Sequence, residues 1–340
     1  MQFALQLKSW LFLSAILLCL GYCAPPEEIR PPQHIGAWIV YWDGERGIQE
    51  LEQNGGLFDR VSLFAYELDA SGNIRHAPHF EDIMPPFFAL SQKNGFSPWV
   101  TLVNDLRKPD SVLLKDSNIV RQLIADPLLL NRHVKNIVQK MKEDGFAGLD
   151  LDYEGLDVSD QDNYRVFVSV LSAELEHNGL GLTVVVEPRH GPLPAPSTAS
   201  LTVMGYNLHG THTGPGARAT ARFISSLRKR GAGDRYNAPW IALAVGGFSW
   251  GSDGKVRQLD WTEGQGMTQS AVKNGRGFFN NVPFSRQEDG SEIWFEDDIS
   301  IREKWGAAYR KGYRNMMIWK LGGNDENLFR LLSAYKTLRQ

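Results

Sequence analysis

The sequence predicts an α/β chain closed into a (β/α)8 TIM barrel, with a small insertion between strands 7 and 8. Three observations lead there. Eight short runs rich in apolar and β-branched residues recur along the chain. Longer stretches with helical spacing of apolar residues separate them. The runs are nearly continuous in hydrophobicity, as parallel strands covered on both faces require. A chain of 340 residues, 42% hydrophobic and 22% charged, has enough apolar material to bury such a core.

In chain order, Lys8 precedes an apolar stretch from Trp10 to Leu20, too short for a stable bilayer span and shaped like the core of a secretory signal. Residues 1–23 are therefore expected to be a signal peptide, cleaved after Cys23 or lipidated at it, and the product to be secreted or held in the cell envelope with no integral membrane span after processing. Both cysteines, Cys19 and Cys23, lie in this segment, so the remaining chain has no disulfide and must rest on its core. Residues 24–33 are rich in proline and predict a stiff tether. Residues 34–340 form the expected barrel, with strands at Gly36–Trp42, Val61–Glu67, Pro98–Asn104, Gly148–Tyr153, Leu182–Glu187, Leu201–Asn207, Ile241–Gly247 and Met316–Leu321. Leu130, Val134, Ile137, Val138 and Met141 make one helix face, and Tyr164, Phe167, Val168, Leu171 and Leu175 another. Ser300 with Glu303 reads as a capping box before the last strand, and Gly179 and Gly231 stand where helices should stop. From about Trp250 to Glu296 the rhythm breaks; Trp261, Phe278, Phe279 and Trp294 suggest a small subdomain walling one side of a cleft, a long loop being the alternative.

The chemistry concentrates in Asp150, Asp152 and Glu154, two apart around Leu151 and Tyr153. Side chains two apart in a strand share a face. Three carboxyl groups crowded there repel when ionised, so at least one should hold a proton near neutral pH, which is how a general acid is kept ready. A solvated acidic edge and a divalent-metal site are the alternatives; the run lacks the glycine turn and further oxygen ligands of a calcium loop. A formal net charge of -3 carries no basic footprint, which argues against nucleic acid as partner. Neither cofactor nor metal is expected, and a monomer is.

Asp150, Asp152 and Glu154 match the last three acidic positions of Asp-x-x-Asp-x-Asp-x-Glu, Met204-Gly-Tyr206-Asn207 approaches Met-x-Tyr-Asp, and Trp319 lies in Met-Met-Ile-Trp-Lys-Leu-Gly-Gly. On these motifs the chain resembles glycoside hydrolase family 18, the chitinase and N-acetylglucosaminidase family, over roughly residues 35–335. Tyr206-Asn207-Leu208-His209, Gly214-Pro215-Gly216 and Trp294-Phe295-Glu296-Asp297 resemble its bacterial cell-wall and spore-cortex glucosaminidase branch. The third strand ends Val103-Asn104 where many chitinases carry Ser-x-Gly-Gly. The resemblance implies cleavage of β-1,4-linked N-acetylglucosamine polymers, peptidoglycan or cortex glycan or chitin, using the substrate's own acetamido oxygen in place of a second carboxylate. It implies Glu154 as the acid that protonates the glycosidic oxygen, Asp152 orienting the acetamido group, Asp150 supporting Asp152, Tyr206 bonding the acetamido carbonyl, and Trp319 as the floor of the sugar site. Met204, Asn207, His209 and Tyr66 join the expected substrate-binding set. Two positions depart: Ala147 stands for the first signature Asp, and Asn207 replaces an Asp beside the acid, which should lower the pKa of Glu154. A non-catalytic glycan-binding lectin is the rival from another class.

Weaker signals carry blander readings. His209 and His212 are three apart but lack further zinc ligands at useful spacing. Tyr66 with Glu67, and Glu187 with Arg189 and His190, close strands where a barrel faces its substrate, with ion pairing as the alternative role. Arg228-Lys229-Arg230 suits a helix end, and Gly246-Gly247 a turn.

Overall fold

The computed structural model describes residues 29–188, 199–227, 239–268, 273–276 and 281–339. The expectations for residues 1–23 including Cys19 and Cys23, for most of the tether, and for Arg189, His190, Arg228, Lys229, Arg230, Gly231, Phe278 and Phe279 fall outside those residues.

All eight expected runs are strands: β1 (His34–Val40), β2 (Arg60–Asp69), β3 (Ser97–Lys108), β4 (Gly148–Asp152), β5 (Gly181–Val186), β6 (Ser200–Met204), β7 (Trp240–Ala244) and β8 (Asn315–Trp319). Each pairs in parallel with the next, and β8 pairs with β1, so the sheet closes into a barrel. Several ladders stop short of the expected C-terminal ends, because the chain stays apolar after it leaves the sheet to build the barrel mouth. β2 and β3 run longer than expected, each continuing into a hairpin, with Ile74–His76 and Ser111–Leu113.

Both expected helix faces are buried, on helices Pro127–Asp144 and Gln161–His177. Asp126 accepts from the N–H groups of Leu128 and Leu129, and Pro127 opens the first turn, so the start of the longer helix is fully specified locally. Gly179 follows the second helix in the left-handed conformation expected of a stop. The helix Asp298–Arg310 is capped by Asp297, not by Ser300: Asp297 accepts from the Ser300 N–H while the Ser300 hydroxyl accepts from the Asp297 N–H. Ser300 belongs to the box, but at its third position, and Glu303 is not part of it.

The barrel interior is polar rather than uniformly apolar. Trp38 Nε1 donates to Thr101 Oγ1 at 3.0 Å, and Ser62 and Thr101 hydroxyls lie 2.9 Å apart. Below them Arg60 is buried between the Trp99 and Trp240 rings, 4.3 and 4.2 Å from their centroids, and donates to Thr183 at 2.9 Å. Gly148 lets the Trp99 ring lie there: a Cβ at that position would meet the ring at 2.3 Å.

Residues 246–296 contain the insertion, a five-stranded antiparallel sheet with helix Trp261–Thr268. It begins at Gly246, four residues earlier than expected, since the last two residues of the seventh apolar run already belong to it. Leu259, Ile293 and Phe295 with Trp261 and Met267 form its own small core. The insertion is tied to the barrel by Arg46–Asp260 and by Trp261 N–H to Gly323 O at 3.0 Å.

β2 carries an irregular register between Phe64, Tyr66 and Leu68 against β3. Arg60, Ser62 and Phe64 face the barrel interior, and simple alternation would send Tyr66 there too. The bulge reverses the phase. Tyr66 lies outside the barrel, its hydroxyl donating to Asp144 at 2.5 Å on the helix Pro127–Asp144, and Glu67 faces inward, paired with Arg107.

Between the strands and that same helix, His133 Nε2 lies 2.8 Å from the Tyr153 hydroxyl and Nδ1 has no hydrogen-bond partner among the described residues. Burial pushes the His133 imidazole down to about 4 from an ordinary value of 6.5. The folded chain holds the ring neutral while the unfolded chain protonates it below 6.5, so stability present above that pH is lost as pH falls toward 4. The loss amounts to about 3 kcal/mol. Denaturant unfolding at pH 7 and pH 4 should show that this part of the acid destabilisation disappears in His133→Gln.

Candidate active site

β4 aims Leu149 and Leu151 outward and Asp150 and Asp152 inward, and Glu154 continues the inward series just past the strand end. Relative exposures of 0, 7 and 9% show how completely these carboxyl groups are withdrawn from water. Asp150 is deepest, with Arg60 Nη2 3.2 Å from its Oδ1. Burial raises the Asp150 carboxyl, against the pull of Arg60. Asp152, one step up, has its Oδ1 buried without a hydrogen-bond partner among the described residues. Burial and then the charge of Glu154 push it well above the ordinary carboxylate value. The ion-pair partner of Asp150 among the described residues is Arg60.

Glu154 is held twice. Asn104, at the end of the apolar part of β3, donates from Nδ2 to the Glu154 carbonyl at 2.9 Å and accepts from the Glu154 N–H at 3.0 Å. This clamp satisfies both backbone groups of a residue that has left its ladder. Lys115 Nζ lies 2.6 Å from Glu154 Oε2. Burial raises the Glu154 carboxyl, Lys115 lowers it, and Glu187 and Asp105 raise it; the net direction is up.

Across the mouth, Met204 ends β6 among Trp38, Val185, Trp240 and Met317. Tyr206 follows it, buried and stacked on Trp319, with ring centroids 6.3 Å apart. Burial, then Asp152 and Glu154, push the Tyr206 phenol well above 10, so it remains a hydrogen-bond donor over the whole working pH range. Arg218 lies over the Tyr206 and Phe248 rings and donates to Val245 O at 2.9 Å. Trp319, the last residue of β8, meets Trp38 and Phe64 edge-on, and Phe64 in turn meets the exposed Trp42, so an aromatic row leads outward from Trp319.

Asn207 is exposed with a φ of 70°, a left-handed conformation that Asn and Asp tolerate better than most residues. It lines a cavity of about 670 Å³ with Lys115, Glu187, Leu208, Thr211 and His212. His209 instead serves its own loop: Nδ1 lies 3.1 Å from Gly214 O, and the ring covers Gly216, where a Cβ would meet it at 2.6 Å. Tyr66 is absent from the mouth for the reason given by the bulge in β2. Among the described residues no group of three or more His, Cys, Asp or Glu side chains is arranged to hold a metal ion, and no helix is long and apolar enough to cross a membrane.

The arrangement therefore brings together Asp150, Asp152, Glu154, Met204, Tyr206, Asn207 and Trp319, and adds Lys115, Asn104, Arg60 and Arg218. Asn104 was visible as the polar end of an apolar run. Arg60, just before such a run, looks like a strand flank. Lys115 had no signal at all, being 39 residues from Glu154 on a polar loop.

The family model of glycosyl hydrolases family 18 matches residues 121–325, which takes in every one of the acidic residues of β4 together with Tyr206 and Trp319. An uncharacterized glycosylase of Bacillus subtilis (strain 168), YvbX, is 18% identical over 352 aligned positions covering 96% of this chain and 98% of that protein. The crystal structure of the Bacillus cereus spore cortex-lytic enzyme SleL superposes with a TM-score of 0.76 at 16% identity, covering 92% of this chain and 76% of that one. A class V chitinase structure from Pseudomonas fluorescens Pf-5 gives a TM-score of 0.74 at 20% identity, covering 90% and 99%. The structural likenesses establish the shared barrel; the family match, spanning more than half of the 340 residues and all of the β4 carboxylates, establishes that the chain belongs to glycosyl hydrolases family 18.

Proposed function

We propose that this glycoside hydrolase cleaves β-1,4-linked N-acetylglucosamine polymers by retaining, substrate-assisted catalysis, with peptidoglycan or cortex glycan as the first candidate and chitin the close alternative. The observation that carries the reading is the convergence at one barrel mouth of Glu154, the uncompensated Asp152, the Tyr206 phenol and the Trp319 ring. Glu154 protonates the glycosidic oxygen as the acetamido oxygen of the same sugar bonds to the anomeric carbon. Asp152, the carboxyl with no counter-ion of its own, orients and polarises the acetamido N–H. Tyr206 donates to the acetamido carbonyl oxygen, and Trp319 offers an apolar face to the sugar ring. Glu154 then takes a proton from the water that opens the intermediate. The likeness to a cortex-lytic enzyme supports the choice of cell-wall glycan. The apolar run Trp10–Leu20 supports export, with residues 24–33 as a tether and Cys23 as a lipid-attachment candidate.

Mass spectrometry of products from N-acetylglucosamine oligomers and purified peptidoglycan should show cleavage by the full chain, and a rate lowered about 10²–10⁴-fold in Glu154→Gln, the usual worth of a general acid. Oligomers of unsubstituted glucose should remain intact, because they lack the internal nucleophile. Retained binding without cleavage of either acetylated substrate would overturn the reading.

The acid must be protonated to act, so the alkaline limb of the pH–rate profile follows the pKa of Glu154. Asn207→Asp places a negative charge in the cavity beside it and should move that limb to higher pH, by about a few tenths of a unit at this exposed position. An unchanged or more acidic limb would contradict this.

A further inference from the structure

We propose that Lys115 is a positioning residue of the hydrolytic reaction, holding the Glu154 carboxyl in the cleft and setting the pH range over which that acid delivers its proton. This rests on the role assigned to Glu154 above. The 2.6 Å contact between Lys115 Nζ and Glu154 Oε2 is the direct observation, and the loop that carries Lys115 is built to make it.

Beyond the hairpin of β3 with Ser111–Leu113, the chain turns back over the barrel mouth. Lys115 adopts a φ of 54°, a conformation uncommon for a residue with a long side chain and one that must be held in place. Its N–H donates to Asp105 Oδ1 at 2.8 Å, and the Asp116 N–H donates to Asn104 O at 2.9 Å. Asp116 also caps the following helix by accepting from the Asn118 N–H at 2.8 Å. On the opposite side Gly155, at a φ of 70°, brings the chain after Glu154 under this loop, so that a Cβ there would stand 3.5 Å from Lys115 O. The end of β3 thus fixes Glu154 through Asn104 and fixes its counter-ion through Asp105 and the Asn104 carbonyl.

Among the described residues, the groups that face Glu154 are Lys115 and Asp105 from β3 and its loop, Glu187 after β5, Asp152 beneath it on β4, and Tyr206 after β6. Of these only Lys115 is positive. In the first half-reaction the bond from the anomeric carbon to the leaving oxygen breaks and the Glu154 proton passes to that oxygen. The new carboxylate is left among three acidic side chains, and the Lys115 ammonium stabilises it until the attacking water returns a proton. Lys115 itself is unchanged. An incidental surface ion pair, by contrast, would contribute almost nothing, and half of the Lys115 side chain is exposed.

The test is a comparison of the full chain with its Lys115→Met and Lys115→Arg variants. The Glu154 carboxyl is titrated by ¹³C NMR, its signal identified by loss in Glu154→Gln, and kcat/KM is measured against pH with N-acetylglucosamine oligomers. Lys115→Met should raise both the Glu154 titration and the alkaline limb by about one pH unit and lower the limiting kcat/KM on the acidic side of the limb, while Lys115→Arg stays near wild type. Absence of both shifts in Lys115→Met, or an equal shift in Lys115→Arg, would overturn the proposal. A wild-type enzyme that cleaves no oligomer while the NMR titration still moves would overturn the functional reading and the role in reaction with it, leaving the ion pair as structure alone.

Discussion

Three carboxyl groups stacked on one face of β4 and almost fully desolvated are the constraint around which the barrel interior is arranged. Withdrawing a carboxylate from water costs several kcal/mol unless a partner offsets it. The partners are distributed by depth. Arg60 answers Asp150 at the bottom and Lys115 answers Glu154 at the mouth, leaving Asp152 between them with no ion-pair partner among the described residues. That middle carboxyl is pushed well above the ordinary carboxylate value, first by burial and then by Glu154. Asp152 is thus the carboxyl that lies between two ion-paired neighbours.

Arg60 in turn explains the bottom of the barrel. A buried guanidinium needs partners, and Arg60 finds them in the Trp99 and Trp240 faces and the Thr183 and Thr202 hydroxyls, while its Nε has no hydrogen-bond partner among the described residues. Removing one member of such a buried pair leaves an uncompensated charge, worth about 3–5 kcal/mol. The polar interior is therefore part of the arrangement that holds the β4 carboxyl groups and not a defect in the packing. β3 does the corresponding work at the mouth, supplying the Asn104 clamp, Asp105 and the loop that returns Lys115.

Legibility in the sequence followed the range of the interaction. All eight strands and both helix faces could be read, because each depends on the hydrophobicity of residues that are neighbours in the chain or one turn apart. The β4 carboxylates could be read for the same reason, since a period of two places them on one face. Tyr66 shows where such reasoning stops. Its side is decided by a bulge in the pairing of β2 with β3, and nothing within β2 announces that irregularity. His209 was similarly drawn toward the substrate by its place in a motif, whereas its ring is used by Gly214 and Gly216 of its own loop.

The sequence by itself determined the (β/α)8 architecture, the family resemblance, the line of Asp150, Asp152 and Glu154, and the presence of Tyr206 and Trp319 near strand ends, all of which rest on local periodicity and short motifs. Only the tertiary structure decided the charges that these groups meet. Arg60 reaches Asp150 across the barrel from β2, Asn104 reaches Glu154 from β3, and Lys115 arrives from a loop 39 residues away. Electrostatic partners are chosen by distance in space, and closure of the sheet brings together strands whose separation along the chain carries no trace of that contact.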